Sequence, residues 1–272
     1  MSLVIAGSLV LGDSVSGGGI INANNPLIGY RNLATASNVA ATSAASGRPA
    51  SNLANPSTNL RWEGTNALVD TYLTVTVNAV EPIDYIALAR HNFGSAQIPV
   101  SVEGFDGSWA ELVAPVLLPN DGPALFRFAP AALPAIRLRL QPGSAVPTAA
   151  VLYTGALLVL QRRIYVGHTP INYGRTTKVI NGRSESGNFL GRIITAEMTE
   201  TSVRLANLTA GWYRTYLDPF ILNARERPFF FAWRPSDYPR EVGYAWLTSD
   251  PQPTNQRSNG MMSIELKMAG VV

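Results

Sequence analysis

The sequence predicts a mainly β chain built as two bodies, a sandwich or barrel followed by a second β-rich body carrying one helix. Three observations predict it. Short apolar runs with period-two alternation recur from residue 72 to residue 160, separated by turn residues, with no helical periodicity between them. A second series of such runs begins near Gln161. Within it, Leu208, Trp212, Tyr216 and Phe220 fall four apart and share one helical face.

In chain order, residues 1–30 mix apolar pieces with Gly17-Gly18-Gly19 and Asn24-Asn25-Pro26, and read as an extended arm with one or two strands. The glycine triplet has no following helix and no Lys-Ser/Thr pair, so it reads as a flexible joint and not a phosphate cradle. Residues 31–60, rich in Ala, Ser, Asn and Thr, read as surface loops. Strands are expected at Tyr72–Val77, Ile83–Ala89, Ile98–Glu103, Ala124–Phe128, Ile136–Leu140 and Val151–Leu160. Gly104-Phe105-Asp106-Gly107 is a turn signal, and Ile136-Arg137-Leu138-Arg139-Leu140 reads as a strand with one wet face. In the second body the expected strands are Arg163–Val166, Thr176–Ile180, Phe189–Glu200, Pro228–Trp233, Val242–Leu247 and Met261–Met268. Pro219 should kink or end the helix, because it removes a backbone donor. The helix's aromatic face is expected to be core against the sheet. The division is therefore 1–30, 31–160 and 161–272.

Composition narrows the chemistry. The 272 residues are 46 % hydrophobic and only 14 % charged, which points to a large core and much contact surface. There is no cysteine, which excludes disulfides, thiolate metal sites and cysteine nucleophiles. With only His91 and His168, a histidine-built metal site is not expected, and no cofactor is called for. The net charge of +3 is uneven: residues 1–160 hold seven arginines against nine acids, and residues 161–272 hold fourteen basic residues against nine acids. A nucleic-acid binder would show a denser basic stripe, so scattered arginines making structural and subunit contacts are expected instead. Met1–Gly12 is apolar without a positive region before it, so no export signal is read. Leu152–Leu160 is too short for a membrane span of about 20 residues, and no membrane insertion is expected.

Nothing in the sequence is poised for catalysis. His91 and His168 both sit in turn-like contexts, and Gly182-Arg183-Ser184-Glu185-Ser186-Gly187 has the wrong spacing for a nucleophile elbow. Asp84, Glu103, Asp106 and Glu111 are the carboxylates available for glycoside chemistry, but two of them belong to an ordinary turn region. Asp106-Gly107-Ser108 and Asn120-Asp121-Gly122 would suit calcium and are equally normal turns. The expectation is a non-enzyme.

An ordered series of features in residues 32–160 resembles the discoidin-like, galactose-binding-type jelly roll. It comprises Ala50-Ser51-Asn52-Leu53-Ala54-Asn55, Leu60-Arg61-Trp62-Glu63, the strands Tyr72–Val77 and Ile83–Leu88, then Ile98–Glu103, Asp106-Gly107-Ser108-Trp109 and Ala135–Leu140. The resemblance implies that Asp-Gly-Ser-Trp caps a hairpin and that Trp62 and Trp109 supply buried area. The chain departs from secreted members in lacking the disulfide at the barrel mouth. Glycan-binding members use loop-borne aromatic and polar groups, which implies Arg61, Trp62, His91, Asn92 and Phe93 as saccharide-contacting candidates. The ring of Trp62 equally reads as core.

Residues 161–272 resemble the belt or assembly domains of minor tail proteins of long-tailed bacteriophages, including the distal tail protein. The resemblance lies in Trp212-Tyr213-Arg214 through Phe220, Pro228-Phe229-Phe230-Phe231-Ala232-Trp233-Arg234-Pro235, Val242–Leu247 and a last strand ending at Met268. Arg-over-Lys usage, nineteen to two, fits a GC-rich bacterial host. The order departs from the usual distal tail protein, in which the assembly domain comes first. The resemblance implies a structural component of a tail tip or baseplate. It would form a homo-oligomeric ring joining the tail tube to hub or fibre proteins, with tape-measure, hub or fibre proteins as partners. It also implies a place in the virion tail, after assembly in the bacterial host cytoplasm. The alternative is a carbohydrate-binding module recognising a host-surface saccharide.

Overall fold

The computed structural model describes residues 2–6, 14–15, 19–20, 23–78, 81–165, 167–256 and 260–271, with backbone alone at 14–15 and 19–20. Gly17 and Gly18 of the expected joint, and Val166 at the end of one expected strand, lie outside the described residues. The fold class is the expected one, mainly β with one helix.

Its logic is a stack of four layers sealed by three apolar cores. The outermost layer is a five-stranded antiparallel sheet in the order Trp109–Leu117, Pro99–Phe105, Ala135–Leu140, Thr71–Thr76, Val39–Ala41. Beneath it lies a four-stranded sheet in the order Ser2–Ile5, Ala124–Ala131, Ile83–Ala89, Val151–Gly155. Together they make the sandwich. Its core includes Trp62, Leu73, Val75, Ile86, Leu88, Phe93, Val100, Val102, Phe126 and Leu138.

The four-stranded sheet is apolar on its other face too. Residues of one parity (Ile86, Leu88, Phe126, Leu152) enter the sandwich core, and their neighbours (Tyr85, Ala87, Leu125, Val151, Tyr153) enter a second core. That explains the near-continuous apolar runs: a strand buried on both faces has no reason to alternate. The second core is closed by Leu27, Phe230, Ala232, Val242 and Tyr244 from an eight-stranded sheet. Tyr153, Phe230 and Tyr244 meet edge-on or tilted, with centroids 5.0–6.0 Å apart. Their hydroxyls are not wasted: Tyr153 donates to the Pro228 carbonyl and Tyr244 to that of Pro56.

The eight-stranded sheet runs Leu158–Val159, Leu27–Gly29, Phe229–Ala232, Val242–Leu247, Met261–Val271, Phe189–Thr209, Arg175–Arg183, with Thr254–Asn255 on the side of Met261–Val271. Its far face carries the third core. There Phe229, Phe231, Val203, Leu205, Ile264 and Leu266 meet Trp212, Tyr213, Leu217, Phe220 and Ile221 of the helix. Phe229-Phe230-Phe231 therefore divides its rings between two cores by strand parity.

Several expectations need correction. Residues 2–5 pair in parallel with Ala124–Arg127 in the sandwich, and residues 27–29 pair with Phe230–Ala232 in the large sheet, while 14–15 and 19–20 pair with each other, so the segment holds more than the one or two strands expected. The expected strand Val151–Leu160 is two strands, Val151–Gly155 in the sandwich and Leu158–Val159 in the large sheet, parted where the chain changes layer. Residues 163–165 form no strand: Ile164 is an anchor in the third core, Arg163 is half-buried and Tyr165 faces solvent. Trp109–Leu117 is the second strand of the hairpin that the Asp106-Gly107-Ser108-Trp109 turn implied, and it was given no range because its pairing carries two register shifts, which blur the alternation a sequence would display. Trp109 is half-buried, with the Arg137 guanidinium 3.9 Å from its ring centroid.

The helix begins at Ala210, with Thr209 as its cap, so Leu208 belongs to the strand before it and reaches the same core from there. Pro219 does not end it: the helix runs on to Ala224. The turn before the proline, Tyr213–Leu217, is π-helical, and the proline sits in the first turn of the following α segment. The shift to wider hydrogen bonding just upstream accommodates the missing donor.

Candidate functional site

The loops at one end of the sandwich enclose a polar cleft of about 780 Å³. Its four walls come from five places in the sequence: Gly47 to Asn52, Thr58 to Arg61, Arg90 to Asn92, and a last wall that joins Asp121 to Thr148 and Ala150. Each wall is fixed by local hydrogen bonding. Ala50–Ala54 form a short 3-10 helix anchored by buried Leu53, and Asn52 Nδ2 donates to the Arg61 carbonyl at 2.9 Å, tying the first wall to the second. In the third wall, Asn92 accepts from Thr148 N–H at 2.8 Å and donates to the Val146 carbonyl at 2.8 Å, which clamps the fourth wall beside it. Gly94 sits so close to the next loop that a Cβ there would lie 2.4 Å from the Asn120 carbonyl carbon; only glycine allows the approach. Asp121 Oδ1 then accepts from Ser95 N–H at 2.8 Å.

Of the five sequence-predicted residues, the structure brings Arg61, His91 and Asn92 to the cleft and withdraws two. Trp62 and Phe93 have no exposed surface, so neither ring can stack on a ligand. Trp62 fills the sandwich core and donates Nε1–H to the Ser43 carbonyl, while Phe93 stacks beneath His91 at 4.8 Å. Both are drawn inward because a large ring gains more from burial than from a loop position in water. The Asn92 amide is committed to its two loop bonds. His91 Nδ1 accepts from Phe93 N–H at 3.2 Å, which puts the ring proton on Nε2. Burial pushes the His91 pKa down to about 4, against the weaker pull of Asp121 and the Gly122 backbone, so at neutral pH the ring is uncharged.

The groups left to meet a ligand are the guanidinium groups of Arg48, Arg61 and Arg90 with the amides and hydroxyls around them. Glu63 faces two of the three, 3.2 Å from Arg48 and 3.6 Å from Arg61. Arg90 makes no ion pair among the described residues, and its backbone is left-handed at φ 55°. That conformation is uncommon for a residue with a Cβ and marks a position held by its surroundings. Here the hold comes from Ala150 N–H, which donates to the Arg90 carbonyl at 3.1 Å. The sequence reading missed Arg48, Asn52, Asn59, Arg90 and Asp121. Arg90 adjoins His91 in sequence and was within reach of the motif; the others are assembled only by the fold.

The candidate carboxylates are spread out. Glu103 is bound by Arg137 at 2.6 Å inside the five-stranded sheet, and Asp84 is half-buried, accepting from Leu157 N–H at 2.7 Å. Asp106 lies in the 106–108 turn, which joins Pro99–Phe105 to Trp109–Leu117, and Glu111 is exposed on the second of those strands. Gly182–Gly187 is the tip of a hairpin, closed by Ser184 N–H to the Asn188 carbonyl. His168 packs against Trp233 at 5.0 Å, with Nδ1 3.2 Å from the Ser202 carbonyl. Among the described residues no three of His, Asp and Glu converge as a metal site would need.

No family model matches the chain, and no curated protein matches it. Solved structures do match. A chitosan-binding module from a chitosanase/glucanase of Paenibacillus sp. IK-5 is 14 % identical over 46 % of this chain and 98 % of its own, with a TM-score of 0.40. A CBM32 module from Clostridium perfringens in complex with GalNAc-β-1,3-galactose is 12 % identical over 43 % of this chain and 94 % of its own, with a TM-score of 0.38. A pectin-binding carbohydrate-binding module is 15 % identical over 46 % of this chain and 91 % of its own, with a TM-score of 0.37. Likeness at this level carries no argument; the sandwich stands on its own strand pairing.

Proposed function

We propose that the chain is a non-catalytic binding protein whose sandwich cleft takes a saccharide. The observation that carries this reading is the convergence of Arg48, Arg61, Arg90, Asn52 and Asn59 on one cleft of about 780 Å³. Guanidinium and amide groups in a fixed frame suit the hydroxyl and ring oxygens of a sugar, and the cleft has room for a short oligosaccharide. The test is calorimetric titration of the full chain against a panel of oligosaccharides. The full chain is required, because a fragment of residues 31–160 would lose Ser2–Ile5 and expose Tyr85, Leu125 and Tyr153. Binding is expected to weaken about tenfold in Arg61→Ala and in Arg90→Asn, the loss of one charge-assisted hydrogen bond each. Asparagine tolerates the left-handed backbone at position 90. Absence of binding at millimolar sugar overturns the reading.

One feature favours a second reading, a ring-forming structural subunit of a bacteriophage tail tip. The hairpin formed by Arg175–Arg183 and the first half of Phe189–Thr209 leaves Val179, Ile180, Phe189, Leu190, Ile193, Ile194 and Met198 in solvent. Lone two-stranded ribbons are marginal in water, and this much apolar surface suits a partner. The hairpin is one edge of the eight-stranded sheet, whose other edge is the two-residue strand Leu158–Val159. Head-to-tail contact between copies, hairpin to far edge, would close a ring. Light scattering of the full chain should give a mass above the monomer, lowered by Ile180→Lys with Ile193→Lys. A monomer at high concentration, with the wild-type hairpin intact, removes this reading and leaves the saccharide reading standing.

A further inference from the structure

Away from the sandwich cleft, a second cavity of about 550 Å³ is lined by Arg162, Arg163, Tyr165, Arg204, Ala206 and Asn207. Three arginines border it and, among the described residues, no acidic residue does. Elsewhere the chain pairs its arginines readily, as at Arg31–Glu81, Arg137–Glu103, Arg139–Asp70 and Arg225–Asp250. None of Arg162, Arg163 and Arg204 has an ion-pair partner among the described residues. Glu265 stands directly across the ladder from Arg204, but its Oε1 takes a 2.6 Å hydrogen bond from Ser202 and it makes no ion pair with the arginine.

The frame that holds these groups is built in. Gln161 bonds Thr209 twice, accepting from its N–H at 2.9 Å and donating to its Oγ1 at 3.1 Å. Ile164 is driven into the third core. With Gln161 and Ile164 pinned, Arg162, Arg163 and Tyr165 are the residues the segment can turn outward, and Tyr165 is 74 % exposed. On the facing strand, a register shift between Leu205 and Leu208 places Asn207 in the left-handed region at φ 58°. Asn207 N–H donates to Gln256 Oε1 at 3.0 Å, and its carbonyl accepts from Arg162 Nε at 3.2 Å. Bulges of this kind re-aim side chains and recur beside functional sites. The charge is therefore concentrated in place by a frame whose backbone is already fixed, which lowers the ordering cost of binding.

We infer that this cavity is an anion-binding site for an acidic saccharide, the carboxylates meeting Arg163 and Arg204 while a sugar ring lies on Tyr165. Planar guanidinium forks match carboxylates in two-point contact, and an exposed phenol ring offers a flat apolar face. The compact cavity, with its three arginines at one point, fits one or two rings better than the long basic track a nucleic acid needs.

The test titrates the full chain with tri-mannuronate, one carboxylate per ring, and with uncharged mannotriose as its matched control, by calorimetry at low and moderate salt. Tri-mannuronate is expected to bind at least tenfold more tightly than mannotriose, and more weakly as salt rises. Arg163→Ala, Arg204→Ala and Tyr165→Ala should each weaken it about fivefold or more, with Arg225→Ala, at an exposed ion pair with Asp250 outside both cavities, leaving it unchanged. None of these positions belongs to a core, and a thermal melt of each variant checks that it is folded. Equal binding of mannotriose, insensitivity to Arg163→Ala and Arg204→Ala, loss of binding in Arg225→Ala, or tighter binding of hexaglutamate or a single-stranded oligonucleotide overturns the inference.

Discussion

The long strand Phe189–Thr209 lives two lives. Its first half, through Met198, is almost wholly exposed on both faces, although it carries Phe189, Leu190, Ile193 and Ile194. From Thr199 on, alternate residues vanish into the interior: Thr199, Thr201, Val203 and Leu205 are buried and Glu200 and Arg204 are not. The change falls where Met261–Val271 begins to pair, at Thr199 opposite Gly270. Composition does not distinguish the halves, since both are apolar enough to make core. What differs is company. The first half has one neighbouring strand and nothing above it; the second has Met261–Val271 beside it and the helix over it. Apolar content permits burial, and only a covering layer produces it.

The largest test of that contrast is truncation on either side of the boundary. Leu205→Ala should cost about 2–5 kcal/mol, because the third core cannot fully close over the cavity. Ile193→Ala should change the unfolding free energy of the isolated chain by no more than about 0.5 kcal/mol. Urea midpoints measure both; a large loss from Ile193→Ala would mean that the hairpin is already covered in solution.

A second test uses ions that only a covered region can perturb. Burial raises the Asp84 pKa to about 6 from 3.8, against the pull of Leu157 N–H and Arg127, and lowers that of His91 to about 4 from 6.5. A raised carboxyl favours the fold below pH 3.8 and loses that contribution as pH rises through 6. A depressed imidazole favours the fold above pH 6.5 and loses its contribution as pH falls through 4. Each amounts to about 3 kcal/mol at most, and over pH 4–6 the two slopes oppose each other. Wild-type stability should therefore be nearly flat there with respect to these groups. Asp84→Asn, which keeps the acceptor for Leu157, should become less stable on acidification from pH 6.5 to 4. His91→Asn, which keeps the acceptor for Phe93, should become more stable over the same descent. Parallel profiles for all three proteins would show that neither group is sealed from water.

Smaller still is the effect of loop contact at the cleft. Gly94→Ala forces the Asn120 loop away and should cost about 1–3 kcal/mol, with a matching loss of saccharide affinity as Asp121 is displaced from Ser95. Unchanged melting and binding would show that the two loops are free to part.

How much was legible follows the same division. Strands with clean alternation, such as Thr71–Thr76 and Ala135–Leu140, were readable because one face is wet or salt-bridged. Trp109–Leu117 was not, because two register shifts scramble its parity. Arg61 and His91 were readable as loop groups near the sandwich mouth, whereas Trp62 was left open between mouth and core and Phe93 was placed at the mouth, since a ring beside a turn looks the same in sequence whether it points in or out.

The amino-acid sequence by itself determined the mainly β character, the single aromatic-faced helix and the lack of thiol chemistry, because each depends on local period or on residue inventory. Tertiary structure decided the rest: that Phe229-Phe230-Phe231 feeds two cores, that residues 2–5 and 27–29 stitch both bodies together, and that arginines far apart in the chain converge on two cavities. Those outcomes turn on which layer covers which face, and that is a property of the stack as a whole, set by contacts between residues distant in the chain.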